Sequence, residues 1–151
     1  MLQQTRVETV IDYWYKWMNA MPSIHELSKA QPDAVNVLWS GLGYYSRAQR
    51  LLEGAQKVVQ EYNGELPDTV SKLLEIPGIG PYTAGAISSI AFNKIEPLVD
   101  GNVIRVLTRV RGIKNEINPS VEKRIWDIAR SLVDPEEPGI FYIYKNVYTY
   151  A

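Results

Sequence analysis

Three features of this 151-residue sequence predict an all-α fold of seven or more short helices. Apolar residues recur at three- and four-residue steps, which is the spacing of a helix face that packs against a core. Prolines and glycines interrupt these runs often, so the helices are short. Residues 141–150 are the one aromatic stretch with a composition typical of strands, and we assign this stretch no fold.

Composition limits the classes of function. Hydrophobic residues at 46% and charged residues at 22% predict a soluble globular chain, with no apolar run that could span a bilayer and no secretory signal. The sequence has no cysteine, which excludes disulfides and thiolate-bound metals or iron–sulfur clusters within it. A net charge of -1 gives no overall sign of nucleic-acid binding. Arg105, Arg109, Arg111 and Lys114 are a local basic cluster, although such runs are more often solvated faces.

The first 40 residues predict three helices. An amphipathic helix is expected from Met1 to Ala20, already under way at the first residue. Ser23 and Glu26 have capping-box spacing at the start of a short second helix, and Pro32 begins a third. The core-facing side of the first helix is predicted to contain Val7, Val10, Ile11, Trp14, Trp17 and Met18.

The segment Gly41–Arg47 combines two glycines with Tyr44, Tyr45 and Arg47. Aromatic rings beside a positive charge suit stacking on bases, or wedging between them, while the charge holds a phosphate. The alternative is a helix N-terminus whose tyrosines fill the core, and the residues alone leave both open. The following helix is predicted to end at Tyr62 and to bury Ala48, Leu51, Leu52, Ala55, Val58 and Val59.

The stretch Leu74–Ala86 is the most distinctive part of the sequence. A proline ends an apolar run, Gly78 and Gly80 give the backbone freedom, and Pro81 suits the first turn of a new helix. This pattern predicts two helices joined by a glycine hairpin, with free N–H groups that bind a phosphate. An ordinary tight turn between packed helices fits the hairpin equally well. A dinucleotide-binding loop is disfavoured, because Thr83 stands where its third glycine belongs.

Asp100 follows a short apolar run and precedes Gly101. An aspartate at the start of a helix is usually an N-cap. A carboxylate can also stabilise the positive charge that develops on a sugar when its glycosidic bond breaks. That reaction needs a second group to protonate the leaving base, and no convincing second carboxylate accompanies the other motifs. The residues alone therefore indicate a DNA-binding helical domain with half of an acid–base pair.

Two further helices are predicted after Asp100. One begins at Asn102 and the other at Asn118, and the turn-rich residues 134–139 follow the second. Their inward-facing residues are predicted to be Val103, Val106, Leu107, Val110, Val121, Ile125, Ile128, Ala129 and Leu132.

Four segments together resemble the MutY adenine DNA glycosylases, and most closely their eukaryotic members. These segments are residues 1–5, 38–47, 76–86 and 99–106, and they occur in the order and spacing of that family. The resemblance extends to about residue 140. It implies a helix-hairpin-helix DNA glycosylase-like helical bundle over residues 2–112, an incomplete second (iron–sulfur) module over 113–140 and an atypical tail over 141–151.

The resemblance also implies roles for individual residues. Asp100 matches the catalytic aspartate, and Asn102 matches a residue that supports it. Tyr82 occupies the position of the Schiff-base lysine of lyase-type relatives, and since tyrosine cannot form that imine, a monofunctional glycosylase is implied. The positions implied to contact substrate or DNA are Gln3, Gln4, Tyr44, Tyr45, Arg47, Gly78, Gly80, Tyr82 and Thr83.

The implied function is base excision repair of duplex DNA. The enzyme would flip out and remove adenine mispaired with 8-oxoguanine or guanine, as a nuclear monomer also found in mitochondria and without membrane contact. The family's catalytic glutamate lies just upstream of the Met1 motif, and its cluster cysteines lie after the last helix. We therefore expect a truncated chain with background activity, and a 4Fe-4S cluster only in the full-length protein. The alternatives are a non-catalytic DNA-binding fragment and a thymine- or uracil-mismatch glycosylase.

Overall fold

The computed structural model describes residues 1, 5–113 and 118–139, and all regular elements in these ranges are helical. This confirms the predicted all-α class. A π-helical turn, Ile87–Ala91, directly follows the helix Pro81–Ala86. None of the described helices is long and apolar enough to cross a membrane. The α-helices are α1 (Val7–Ala20), α2 (Ile24–Lys29), α3 (Pro32–Trp39), α4 (Ser46–Tyr62), α5 (Val70–Leu73), α6 (Pro81–Ala86), α7 (Gly101–Val110) and α8 (Pro119–Leu132).

The chain divides into two compact units. The first contains Met1–Pro67 and Ile76–Gly78, and the second contains Asp68–Glu75 and the described residues from Ile79 onward. The first unit therefore holds α1 to α4, and the second holds α5 to α8. The predicted boundaries near residues 112 and 140 stay predictions, and the predicted tail, 141–151, lies outside the described residues.

The core of the first unit forms where α2 and α3 pack on α4 and α1 packs on α3. Trp17 and Trp39 meet edge to face with ring centroids 5.8 Å apart, which is a favourable geometry for two aromatic rings. The predicted caps are confirmed here, since Ser23 accepts the Glu26 N–H and Asn63 ends α4 in the left-handed region. The buried cluster contains Trp17, Met21, Leu27, Val35, Trp39, Ala48, Leu52 and Ala55.

The first helix differs from the prediction in its start and in its buried side. It begins at Val7, because Arg6 has an extended backbone and does not continue the helix. Val7, Ile11 and Trp14 are 60%, 46% and 52% exposed, so their assignment to the core is wrong. Only the line through Val10 and Trp17 is buried. Periodicity identifies the apolar side of a helix, but neighbouring elements decide how much of that side is covered.

The same correction applies to two residues in other helices. Leu51 in α4 is 42% exposed and Val110 in α7 is 74% exposed, although both are predicted to face the core. Both lie on the apolar side of their helices, as predicted, so their exposure reflects missing packing partners and not their position around the helix. The other predicted inward positions of α4, α7 and α8 are buried or half-buried.

Side-chain hydrogen bonds stabilise the second unit around α5 and α6. The Ser88 hydroxyl, which is fully buried, donates to the Asp68 carbonyl oxygen at 2.7 Å. Lys94 Nζ lies 2.8 Å from Asp68 Oδ2, and this hydrogen-bonded ion pair lowers the pKa of Asp68. Asp68 precedes α5, whereas Ser88 and Lys94 follow α6. The three residues therefore tie the start of one hairpin helix to the end of the other.

Candidate functional site

Asp100 is the N-cap residue of α7, with an extended backbone at φ -120°. Its Oδ1 accepts the backbone N–H of Val103 at 2.8 Å, and its Oδ2 accepts the side-chain amide of Asn102 at 3.3 Å. The carboxylate is half-buried, and both of its oxygens are held by donors. The N-cap prediction is thus confirmed, and capping leaves the carboxylate in one fixed orientation that suits the stabilisation of a nearby positive charge.

Arg105 fixes the orientation of the Asn102 amide. Its Nη2 donates to Asn102 Oδ1 at 3.2 Å, one turn further along α7. Because the amide oxygen accepts from the guanidinium, the amide NH₂ group faces Asp100, where only an acceptor is present. Sequence analysis placed Arg105 in a basic cluster and missed this link. The three-residue spacing from Asn102 on one helix is the signal that could have found it.

Gly85 in α6 leaves room for the backbone of residues 97–99, which lead into Asp100. A Cβ at this position would overlap the carbonyl oxygen of Pro97 and would lie 3.4 Å from the Leu98 Cβ. Only glycine therefore lets α6 lie directly against the buried connector that leads into Asp100. Ser89, also fully buried, donates to the Gly85 carbonyl at 2.7 Å.

The loop between α3 and α4 has an unusual backbone. Gly41, Gly43 and Tyr44 have φ values of +95°, +72° and +51°, so three of four consecutive residues are in the left-handed region. For a tyrosine this conformation costs about 1–3 kcal/mol and requires support from neighbouring groups. The Trp39 indole donates to the Gly43 carbonyl at 2.9 Å and so attaches the loop to the core beneath it.

The two tyrosines of this loop have different contacts. Tyr44 and Tyr45 are 59% and 50% exposed, so the interpretation that they fill the core is wrong. The Tyr45 hydroxyl accepts the Gly41 N–H at 3.4 Å and braces the loop. The Tyr44 ring instead lies under the Arg47 guanidinium, whose Cζ is 4.5 Å from the ring centroid. Both rings are therefore at the surface, but the Tyr45 hydroxyl is used within the loop, whereas Tyr44 is held only through its ring face.

The connection between α5 and α6 has the predicted glycine hairpin. Gly78 has φ +86°, where a side chain would be strained. Gly80 has φ -96° and is the N-cap of α6, and a Cβ there would meet no atom within 4 Å. Pro81 occupies the first turn of α6, followed by the exposed Tyr82 and the half-buried Thr83.

The backbone of this hairpin approaches α4 closely. A Cβ at Gly54 in the middle of α4 would lie 2.9 Å from the Pro77 carbonyl oxygen, so Gly54 admits the hairpin backbone. A glycine inside a helix usually lowers stability, and here its position has a packing reason that sequence analysis missed.

The structure describes some of the predicted site residues and not others. Gln3, Gln4 and Lys114 lie outside the described residues. Arg105, Arg109 and Arg111 are exposed. The structure brings Asp100 together with Asn102, and Tyr44 with Tyr45 and Arg47, and it assigns these two groups to different units. The roles of all these residues stay predictions.

The residues present do not fit a metal cluster. In the described ranges, no three His, Asp or Glu side chains form a group that could hold a metal ion. The whole sequence lacks cysteine, so it contains no thiolate ligand for a 4Fe-4S cluster.

Comparison with known proteins identifies relatives along most of the chain. It is 55% identical to the adenine DNA glycosylase of Rattus norvegicus over 143 residues and 52% identical to that of Homo sapiens, which covers 93% of this chain in each case. It covers 28% and 26% of those two proteins, so it spans about a quarter of the length of these curated relatives. The predicted resemblance to adenine DNA glycosylases is thereby confirmed.

The fold also has a close counterpart among solved structures. A thermostable thymine-DNA glycosylase superposes with a TM-score of 0.78 at 27% identity, over 93% of this chain and 67% of the other. The family model described as HhH-GPD superfamily base excision DNA repair protein matches residues 1–131. With the glycine hairpin, the capped Asp100 and the all-helical architecture, these matches establish that the chain belongs to the HhH-GPD superfamily of base excision DNA repair proteins.

Proposed function

We propose that this chain is the helical catalytic region of a monofunctional adenine DNA glycosylase, which removes adenine paired with 8-oxoguanine or guanine. The observation that carries the proposal is the 55% identity over 143 residues with the rat adenine DNA glycosylase. The identity with the thymine-DNA glycosylase structure is only 27%, which favours adenine over thymine as the excised base.

The geometry of Asp100 supports hydrolysis of an N-glycosidic bond. As the bond between the base and the sugar C1′ lengthens, positive charge develops on the sugar, and a fixed carboxylate stabilises it. Water then adds to C1′ and releases a proton, while the departing base takes up a proton. The Val103 N–H and the Asn102 amide hold the carboxylate in place throughout, so little reorganisation is needed during the reaction.

We assign the proton donor to no residue of this chain. A general acid accelerates such a step by about 10²–10⁴-fold. We therefore expect residues 1–151 alone to release adenine at or near the background rate. Tyr82 supports the monofunctional assignment, because a phenol cannot form the imine that a lyase needs.

Three features support duplex DNA as the binding partner. At the hairpin, a Cβ at Gly80 would meet no atom within 4 Å, so a phosphate has room to approach the backbone there. Tyr44 presents an exposed ring beside a positive charge, which suits insertion at a base step. Arg105 and Arg109 stand one turn apart on α7, and both are exposed. We propose that the chain binds as a monomer.

A cofactor and a location complete the proposal. A 4Fe-4S cluster would take its ligands from outside residues 1–151, since these contain no cysteine. We propose that the enzyme acts in the nucleus and also in mitochondria, on 8-oxoguanine in both genomes.

A chimera tests the proposal. The 143-residue stretch of the rat enzyme that matches this chain is replaced by the corresponding residues of this chain. Single-turnover release of adenine is measured on duplexes with an A:8-oxoguanine, an A:G or an A:T pair, and release of thymine on a T:G duplex. We expect fast release from the first two duplexes only.

Other outcomes point to the alternatives. Release of thymine, without release of adenine, would identify the protein as a thymine-mismatch glycosylase. Salt-sensitive DNA binding without release of either base would indicate a non-catalytic binding module.

A further inference from the structure

Arg47 and Tyr44 form a stacked pair at the start of α4. The guanidinium Cζ lies 4.5 Å from the centre of the Tyr44 ring, which is within the range of a cation–π contact. The backbone N–H of Arg47 also donates to the Tyr44 carbonyl at 2.9 Å. Arg47 is half-buried in the first turn of α4, whereas Tyr44 is 59% exposed. Arg47 is thus the more buried residue of the pair.

An exposed tyrosine on a loop would otherwise be mobile about its side-chain bonds. If a mobile ring becomes fixed only when it inserts between bases, its rotamer freedom is lost on binding, and this loss lowers the affinity. A guanidinium stacked on one face of the ring fixes it before DNA arrives. The same contact covers that face, so a base can stack only on the other face of the ring.

We propose that Arg47 is a positioning residue for DNA binding, which acts by holding the Tyr44 ring in its base-stacking orientation. This proposal rests on the proposed function, in which Tyr44 inserts at a base step. It differs from the simpler role of Arg47 as a phosphate contact, because a positioning residue has no effect once Tyr44 is removed.

The planar shape of the side chain separates the two roles. Lysine keeps the positive charge for a phosphate but lacks the flat guanidinium that stacks on a ring. A phosphate contact through one oxygen therefore tolerates Arg47→Lys, whereas stacking on the Tyr44 ring does not. Loss of a phosphate contact would also lower the dependence of affinity on salt, while loss of positioning leaves that dependence unchanged.

The experiment is a double-mutant cycle on the 151-residue chain. Its members are the unmodified chain, Tyr44→Ala, Arg47→Lys and the double variant. The probe is a short duplex with an A:8-oxoguanine pair and 2-aminopurine beside it. The dissociation constant is measured at several salt concentrations, and the 2-aminopurine emission reports base stacking at the insertion step.

A matched control lies one turn along the same helix. Arg50→Lys makes the same chemical change and keeps the Arg50 Cβ, which would lie 3.1 Å from a Cβ placed on Gly78. We expect this variant to bind like the unmodified chain. Urea unfolding midpoints of all variants are compared, so that a difference in binding is not assigned to loss of fold.

We expect Tyr44→Ala to weaken binding about tenfold, as the loss of one stacked base contact does. Arg47→Lys should weaken it about threefold, with altered 2-aminopurine emission and an unchanged salt slope. In the Tyr44→Ala background, Arg47→Lys should have no further effect.

Three results would overturn the proposal: full binding by Arg47→Lys, additive effects in the cycle, or full binding by Tyr44→Ala. Additive effects combined with adenine release by the rat chimera would reject the positioning role alone. Absence of adenine release by the chimera would reject the proposed function independently of the cycle.

Discussion

Two regions, the loop 41–47 and the segment 99–105, hold their candidate functional side chains by different means. The loop fixes an exposed ring with a left-handed backbone and one stacked arginine. The segment holds a half-buried carboxylate with hydrogen bonds that connect Asp100, Asn102 and Arg105. A ring that stacks on bases has to stay accessible, so the backbone and a single face contact position it. A carboxylate that meets developing charge has to keep one orientation, and directional hydrogen bonds provide this.

Three substitution experiments test this comparison, and the largest effect is expected at Arg105. In the rat chimera, Arg105→Ala should lower the single-turnover rate about tenfold, because the Asn102 amide is then free to rotate away from Asp100. Arg109→Ala is the matched control, since it removes the same charge one turn along α7. Equal rates for the two variants would show that the hydrogen-bonded chain has no part in catalysis.

A smaller effect is expected at the hairpin. Gly80 has an ordinary backbone conformation and open space around its missing side chain, so Gly80→Asp should not disturb the fold. A negative charge there repels a phosphate and should weaken binding of duplex DNA about fivefold at low salt. Gly80→Asn has the same shape without the charge and should bind normally. If the aspartate variant also binds normally, no phosphate lies at the hairpin.

The last of the three effects tests how much single hydrogen bonds stabilise the second unit. Ser88 and Ser89 are adjacent and fully buried in the π-helical turn. Ser88 bonds to Asp68 before α5, whereas Ser89 bonds to Gly85, four residues earlier in α6. Ser88→Ala should lower the free energy of unfolding by about 1 kcal/mol, because it leaves the Asp68 carbonyl with one bond fewer. Ser89→Ala should be nearly neutral, since mid-helix serines of this kind stabilise little. Urea unfolding of the 151-residue chain measures both, and equal losses would contradict the assignment.

Features that depend on neighbouring residues in the sequence were predictable. The caps at Ser23, Asn63 and Asp100 follow from the side chain and its next few residues, and the structure confirms all three. The all-α class follows from periodicity in the same way. The hairpin at Gly78 was also visible, because few residue types adopt the positive φ of Gly78.

Features that depend on distant contacts were not predictable. The exposure of Trp14 reflects which elements fail to cover α1, and the close approach permitted by Gly54 reflects where the hairpin backbone passes. The choice between Tyr44 and Tyr45 required the position of the Gly41 N–H and of the Arg47 side chain. The π-helical turn Ile87–Ala91 has no clear sequence signal.

The central claim is that Asp100 serves catalysis and Tyr44 serves binding. It is tested most directly by measuring the single-turnover rate and the dissociation constant for Asp100→Asn and Tyr44→Ala in the rat chimera, with an A:8-oxoguanine duplex. Asparagine caps a helix about as well as aspartate, so Asp100→Asn should keep the fold and the affinity while the rate falls about 10³-fold. Tyr44→Ala should weaken binding about tenfold and leave the rate at saturating enzyme within about threefold of the unmodified chimera. Adenine release by Asp100→Asn at the unmodified rate would contradict the account.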